Sequence, residues 1–117
     1  MVPVTNVTRG TTVARACVLG VSFGWRLRGL MFRRGFGPFD GLWLAPTAEI
    51  HMFWVRFPID LVWLDAQLRV VAVTAGIAPW RVKTCRGATS VIELPVGALA
   101  SSGTQPGDQM VLGALPG

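Results

Sequence analysis

Glycine and proline interrupt this chain at short intervals from end to end, with 14 Gly and eight Pro among 117 residues. Proline blocks a helix interior and glycine weakens one. Short strands joined by turns are therefore favoured over long helices. Against that background residues 50–65 stand out. The segment sets the single histidine, His51, with Arg56, Asp60 and Asp65 in an otherwise apolar run broken only by Pro58. Polar groups in such surroundings must find partners or lose several kcal/mol of hydration. The segment either clamps a core together or lines a site.

The chain is long enough for one domain that needs no metal or disulfide to fold. Residues 1–10 are expected to be a partly ordered N-terminal extension, and residues 11–117 the single folded domain. Apolar residues make up 51% and charged ones 15%, a globular rather than a disordered composition. Cys17 and Cys85 are far apart and form no Cys-X-X-Cys pair, so two free thiols acting as small hydrophobes are expected. Arginine interrupts the longest apolar runs well short of the ~20 residues of a membrane span. Arg15 likewise breaks the apolar residues 13–21, which makes a poor signal peptide. The expectation is a cytoplasmic protein, or an exported mature form if a leader was removed, as a monomer or weak dimer.

Residues 11–19 read as a strand. Ser22 caps a helix over residues 23–31, with Phe23, Leu27, Leu30 and Met31 on one stripe. Residues 35–38 form a loop, 41–45 a short buried strand ended by Pro46, and 51–55 another strand. Residues 59–64 and 68–74 form a hairpin turning at 65–67, and the almost continuous apolar run of 59–64 points to a strand buried on both faces. A loop carries Pro79, Trp80 and Arg81. Residues 88–94 are a strand, 95–102 one or two helical turns stopped by Gly103, 105–108 a turn and 109–112 the last strand. The class is α+β but mainly β: a small barrel-like or strongly coiled antiparallel or mixed sheet of about six or seven short strands with two short helices.

Arg28-Gly29-Leu30-Met31-Phe32-Arg33, Gly41-Leu42-Trp43-Leu44 and Ile50-His51-X-Phe53-X-X-Arg56-Phe57-Pro58-Ile59-Asp60 occur in order. They are followed by Leu64-Asp65, Pro79-Trp80-Arg81, Val91-Ile92-Glu93-Leu94-Pro95-X-Gly97 and Gly107-Asp108. In this order and spacing, over residues 12–113, the chain resembles the family known as domain of unknown function 192 (DUF192). The resemblance implies a bacterial or archaeal single-domain protein of β-dominated fold and implies no established activity. Members of this type often read Pro-Cys-X-X-Ile-His-Thr-Phe-Gly-Met. Here Thr47, Met52, Trp54 and Val55 stand at the Cys, Thr, Gly and Met positions, so a role for that thiol is absent. The bulk of Trp54 is expected to fill part of a pocket that the family pattern leaves open.

Histidine titrates near neutral pH and suits acid–base work, so His51 is a candidate general acid or base; a neutral core histidine is the alternative. Arg56 and Asp60 flank Pro58, which rules out helical pairing, but a turn could join them as an ion pair. They would then either grip a ligand or fix the corner before the hairpin. Trp80 and Arg81 make either a stacking and anion-binding surface or an ordinary loop anchor with the Trp buried. Glu93 points away from the face of Ile92 and Leu94 and can meet Arg28 or Arg56. Asp60 and Glu93 are the carboxyl couple a glycosidase would need. Neither a nucleotide-binding glycine loop nor a nucleophile elbow is present, and neither metal nor cofactor is expected.

The net charge is +5, with clusters at Arg26, Arg28, Arg33 and Arg34 and at Arg81, Lys83 and Arg86. Without a nucleic-acid motif these read as a solvated basic surface. The leading expectation is a non-catalytic module that binds a small anionic or polyhydroxyl ligand, or a protein partner, through His51, Arg56, Asp60, Trp80 and Arg81. The alternatives are a small hydrolase using His51 or Asp60 with Glu93, and a basic-surface binder of nucleic acid or anionic membrane.

Overall fold

The computed structural model describes residues 1–114, apart from the side chains of Phe23, Arg26 and Leu27. Nine strands and two short helices follow in the order β1 (Val2–Asn6), β2 (Thr11–Gly20), α1 (Phe23–Arg28), β3 (Gly41–Leu44), β4 (Glu49–His51), β5 (Ile59–Leu64), β6 (Val70–Ile77), β7 (Val82–Thr84), β8 (Ser90–Pro95), α2 (Ala98–Ser102) and β9 (Met110–Leu112). Seven strands form one mixed sheet in the order β6-β5-β8-β3-β2-β1-β9, and β4 and β7 form a separate antiparallel ribbon. Only β2 and β3 run parallel, joined by the connection that carries α1. The sheet curls into a half-barrel. The turn before β6 comes round to the start of β9, where Arg69 bridges Gln109 and Val70 N–H donates to Asp108 C=O at 2.8 Å.

The strand β5 is covered on both faces. All six of its residues are buried, and they alternate between two cores. Ile59, Leu61 and Trp63 join Leu42, Leu44 and Val91 under the loops and the β4–β7 ribbon. Val62 and Leu64 join Val4, Ala14, Cys17, Ile92, Leu94 and Leu99 on the other face. A strand covered on both faces has no polar alternation, which is why its sequence is an unbroken apolar run.

Several expected elements hold. The Ser22 side chain accepts from Trp25 N–H at 3.3 Å and caps α1. The helix ends sooner than expected, at Arg28, because Gly29 takes φ 49° and breaks the helical path. The expected stripe positions Phe23 and Leu27, and the side chain of Arg26, lie outside the described side chains. Asp65 builds the hairpin turn without glycine: its Oδ1 accepts from the N–H groups of Gln67 and Arg69, each at 2.9 Å, and Leu68 takes φ 62°. Gly103 closes α2 in the left-handed conformation.

Other elements differ. The stretch read as an extension contains β1, which pairs with both β2 and β9. The expected strand over residues 51–55 does not form. β4 ends at His51, and the next residues turn, with Val55 N–H donating to Met52 C=O at 3.3 Å. β7 carries three exposed residues, Val82, Lys83 and Thr84, and its sequence lacks the apolar alternation that marks a half-buried strand. Cys17 and Cys85 are both free thiols, and burial pushes Cys17 up to about 12.

Candidate ligand-binding site

The turn after β4 buries Met52 and Val55 and throws the two residues between them outward. Phe53 is 42% exposed and Trp54 53% exposed. Two further loops bring aromatics to the same place. Phe32, between α1 and β3, is 55% exposed, and Trp80, between β6 and β7, is 56% exposed. Backbone hydrogen bonds tie the three loops together. Phe32 N–H donates to Trp54 C=O at 2.9 Å, Trp80 N–H to Met52 C=O at 2.9 Å, and Met52 N–H to Arg81 C=O at 2.6 Å.

The four rings touch in series. Phe32 stacks on Trp54 with centroids 5.7 Å apart, Trp54 meets Trp80 edge-on at 5.0 Å, and Trp80 meets Phe53 at 6.0 Å. The His51 ring stacks on Phe53 at 5.3 Å and extends the series inward. Phe32, Trp54 and Trp80 have φ of 66°, 63° and 68°. That left-handed backbone costs an L-residue roughly 1–2 kcal/mol. The resemblance implies a glycine at position 54, and the positive φ of Trp54 is one that glycine adopts without cost. The side chain does not fill a pocket, as its bulk suggested; it joins the exposed aromatic face.

Beside the platform, behind His51, lies a notch of about 30 Å³ lined by Arg28, Gly29, Leu30, Glu49, Ile50, His51 and Glu93. Glu93 is buried, and burial alone pushes its pKa from an ordinary 4.5 up to about 8. It is therefore a neutral carboxylic acid at neutral pH. Arg28 lines the same notch, but no ion pair joins it to Glu93 among the described residues. A larger groove of about 460 Å³ shares Arg28 and Gly29 with the notch and runs past Ser22, Trp25 and Arg33. Arg33 is committed to the fold: it donates to the carbonyls of Gly35 and Phe36, and its guanidinium lies 4.7 Å over the Phe39 ring.

The residues singled out in the sequence divide into two groups. His51 and Trp80 meet through Phe53, with the exposed Arg81 next in the chain. Asp60 is not among them. Its Oδ1 accepts from Gly76 N–H at 2.8 Å and its Oδ2 from the N–H groups of Gly97 and Leu99, each at 3.1 Å, which ties β5 to β6 and to the start of α2. The Arg56–Asp60 ion pair considered in the sequence does not form; Arg56 is exposed, and the described ion pair is Arg9–Asp108 at 2.7 Å. Nor do Asp60 and Glu93 face each other. In the register Asp60 pairs with Leu94 and Leu61 with Glu93, so the two carboxyls leave opposite faces of the sheet. The described residues contain no group of three or more His, Cys, Asp or Glu able to hold a metal. No described helix is long and apolar enough to cross a membrane. Phe32, Phe53 and Trp54 are not among the candidates read from the sequence, because an apolar run reads as core; the glycine that the resemblance implies at position 54 is a signal of positive φ.

A family model for DUF192, described as "Uncharacterized ACR", matches residues 5–112. The chain belongs to the DUF192 family. A UPF0127 protein of Thermococcus kodakarensis is 32% identical over 109 residues, spanning 88% of this chain and 68% of that protein. A UPF0127 protein of Thermococcus sibiricus is 30% identical over 111 residues, spanning 90% and 71%. Two solved structures share the fold at 21% identity. One, from Sinorhizobium meliloti and provisionally described as a transcription regulator, has a TM-score of 0.80 and covers 94% of this chain and 90% of that one. The other, a protein of unknown function from Novosphingobium aromaticivorans, has a TM-score of 0.72 and covers 95% and 93%. The two solved structures share the fold, and relatives and neighbours alike leave the activity of DUF192 proteins open.

Proposed function

We propose that this protein is a non-catalytic binding module for a polyhydroxyl ring ligand, a sugar, held on the platform of Phe32, Phe53, Trp54 and Trp80. The observation that carries the reading is the strained exposure of these aromatics. Three left-handed residues cost roughly 3–6 kcal/mol together, a large share of the ~5–15 kcal/mol that stabilises a typical domain. Folding alone gains little by holding large apolar rings in water on costly backbone. Strain of this kind gathers at functional sites.

Size favours a small ligand over a permanent protein partner. At ~200 Å² per aromatic residue, the four leave roughly 400 Å² exposed. That equals a large functional patch on a monomer but is half of the ~800 Å² each side contributes to a standard protein interface. A sugar ring offers an apolar C–H face to an aromatic platform and a hydroxyl rim to neighbouring donors. Exposed Arg81, next in the chain to Trp80, and Arg56, two residues beyond Trp54, supply such donors.

The test is isothermal titration of the protein with maltotriose, cellotriose, xylotriose and chitotriose. At least one trisaccharide binds the wild type, and Trp54→Ala with Trp80→Ala abolishes the heat. Absence of binding across the four, or binding that survives the double substitution, overturns the reading.

A further inference from the structure

The notch beside the platform holds a group that the fold leaves unused. Glu93 sits on β8 between Leu42 of β3 and Leu61 of β5, and strand alternation turns it toward the loop-covered face. It is 5% exposed. Burial raises the pKa of this carboxyl, and among the described residues no ion pair is made to it, although buried carboxyls are ordinarily partnered. Its Oε1 faces Gly29 so closely that a Cβ there would lie 3.4 Å away. The notch in front of it has room for a group the size of one or two waters.

We infer that this notch receives one hydroxyl of the ring ligand, with the Glu93 carboxyl as its hydrogen-bond partner. The inference rests on the platform reading and deepens it: the ligand is a neutral sugar, with the ring on the aromatics and one hydroxyl arm past His51. His51 belongs to both parts, because it lines the notch and stacks on Phe53.

The chemistry of the notch selects the arm. A protonated carboxyl offers one donor and an acceptor, which matches a hydroxyl that both donates and accepts. Among the described residues, the charged and titratable groups facing Glu93 are Arg28 from the end of α1 and Glu49 and His51 from β4; the neighbours on β3 and β5, Leu42 and Leu61, are apolar. A carboxylate arm would meet Glu49, and an ammonium arm would meet Arg28. A neutral arm meets neither penalty. When Glu93 ionises, its donor is lost and a buried charge appears, so ligand and proton bind together.

The test compares cellotriose and maltotriose with trigalacturonate by isothermal titration between pH 6 and 10, and with the chitosan trimer at pH 6, where its amines still carry charge. The neutral trimers bind more tightly than either charged one. Their affinity is flat to about pH 8, where Glu93 titrates, and then falls about tenfold per pH unit. Glu93→Gln, which stays neutral, removes that fall. Equal binding of the charged trimers, or the same pH profile in wild type and Glu93→Gln, overturns the inference. If Trp54→Ala and Trp80→Ala weaken the neutral trimer while Glu93→Gln leaves the profile unaltered, the platform reading stands and the notch does not. If none of the trimers binds, both fall.

Discussion

Replacing Glu93 with glutamine stabilises this protein, by an amount set by pH. In the unfolded chain the carboxyl releases its proton near 4.5, while in the folded protein burial holds the proton to about 8. Between those values the unfolded state binds fewer protons, so raising the pH favours unfolding. The stability associated with neutral Glu93 is fully present below pH 4.5 and is lost as pH rises through about 8. Each pH unit inside the window costs about 1.4 kcal/mol, so from pH 5 to pH 8 the wild type loses ~4 kcal/mol relative to a variant without this titration. Glutamine keeps the shape and stays neutral, so the two proteins have similar stability at pH 4–5 and diverge upward. Urea unfolding of both at half-unit intervals from pH 4 to 9 measures the divergence directly. Parallel stability curves across that range would refute the argument, because they would mean that the carboxyl is hydrated or paired in the folded state. A buried carboxyl with no ion pair among the described residues is the kind of group found at functional sites.

Asp60→Ala strips the acceptor from the N–H groups of Gly76, Gly97 and Leu99 and lowers stability by at least ~2 kcal/mol; a loss below ~1 kcal/mol in urea unfolding would contradict its role as the clamp between β5, β6 and α2. Burial opposes the ionisation of Asp108, but hydrogen bonds from Arg9, Asn6 and the Gln105 N–H hold its carboxyl below the usual range. Its stabilising contribution is therefore present at neutral pH and is lost as pH falls through the folded-state value. Asp108→Asn flattens that part of the acid-unfolding curve, and an unchanged curve would remove Asp108 from the acid response. Cys17, buried and pushed up to about 12, does not react in the native protein with a disulfide reagent at pH 8. One thiol, the partly buried Cys85, titrates until denaturant is added, and two fast thiols in native buffer would contradict the packing around Cys17.

What the sequence made legible is what local physics decides. The β5–β6 hairpin follows from an apolar run, an aspartate able to cap a turn and a second β-branched run. The start of α1 follows from Ser22, and the end of α2 from Gly103. The β1 strand was not legible because Val2–Asn6 is short and gains its place only by pairing with β2 and with β9, more than 100 residues away. Of the candidate residues read from the sequence, His51 and Trp80 meet through Phe53, and Arg81 follows Trp80 in the chain. Asp60 was grouped with Arg56 because they are four residues apart. Its actual partners lie 16, 37 and 39 residues away, brought close by sheet register that one sequence does not disclose. Phe53 and Trp54 fall within the strand expected over residues 51–55, since apolar residues carry no mark of the left-handed turn that exposes them. Glu93 was seen to leave the face of Ile92 and Leu94, but its isolation depended on where α1 and β4 settle over it.

The central claim, that the platform is the binding surface, is tested most directly by the five indole N–H resonances during titration with cellotriose and maltotriose. Trp54 and Trp80, about half exposed, shift with saturable, matching affinities, while the fully buried Trp63 and the remote Trp43 stay in place. Absence of any indole shift, or saturable shifts confined to Trp25 and Trp43, would contradict the account.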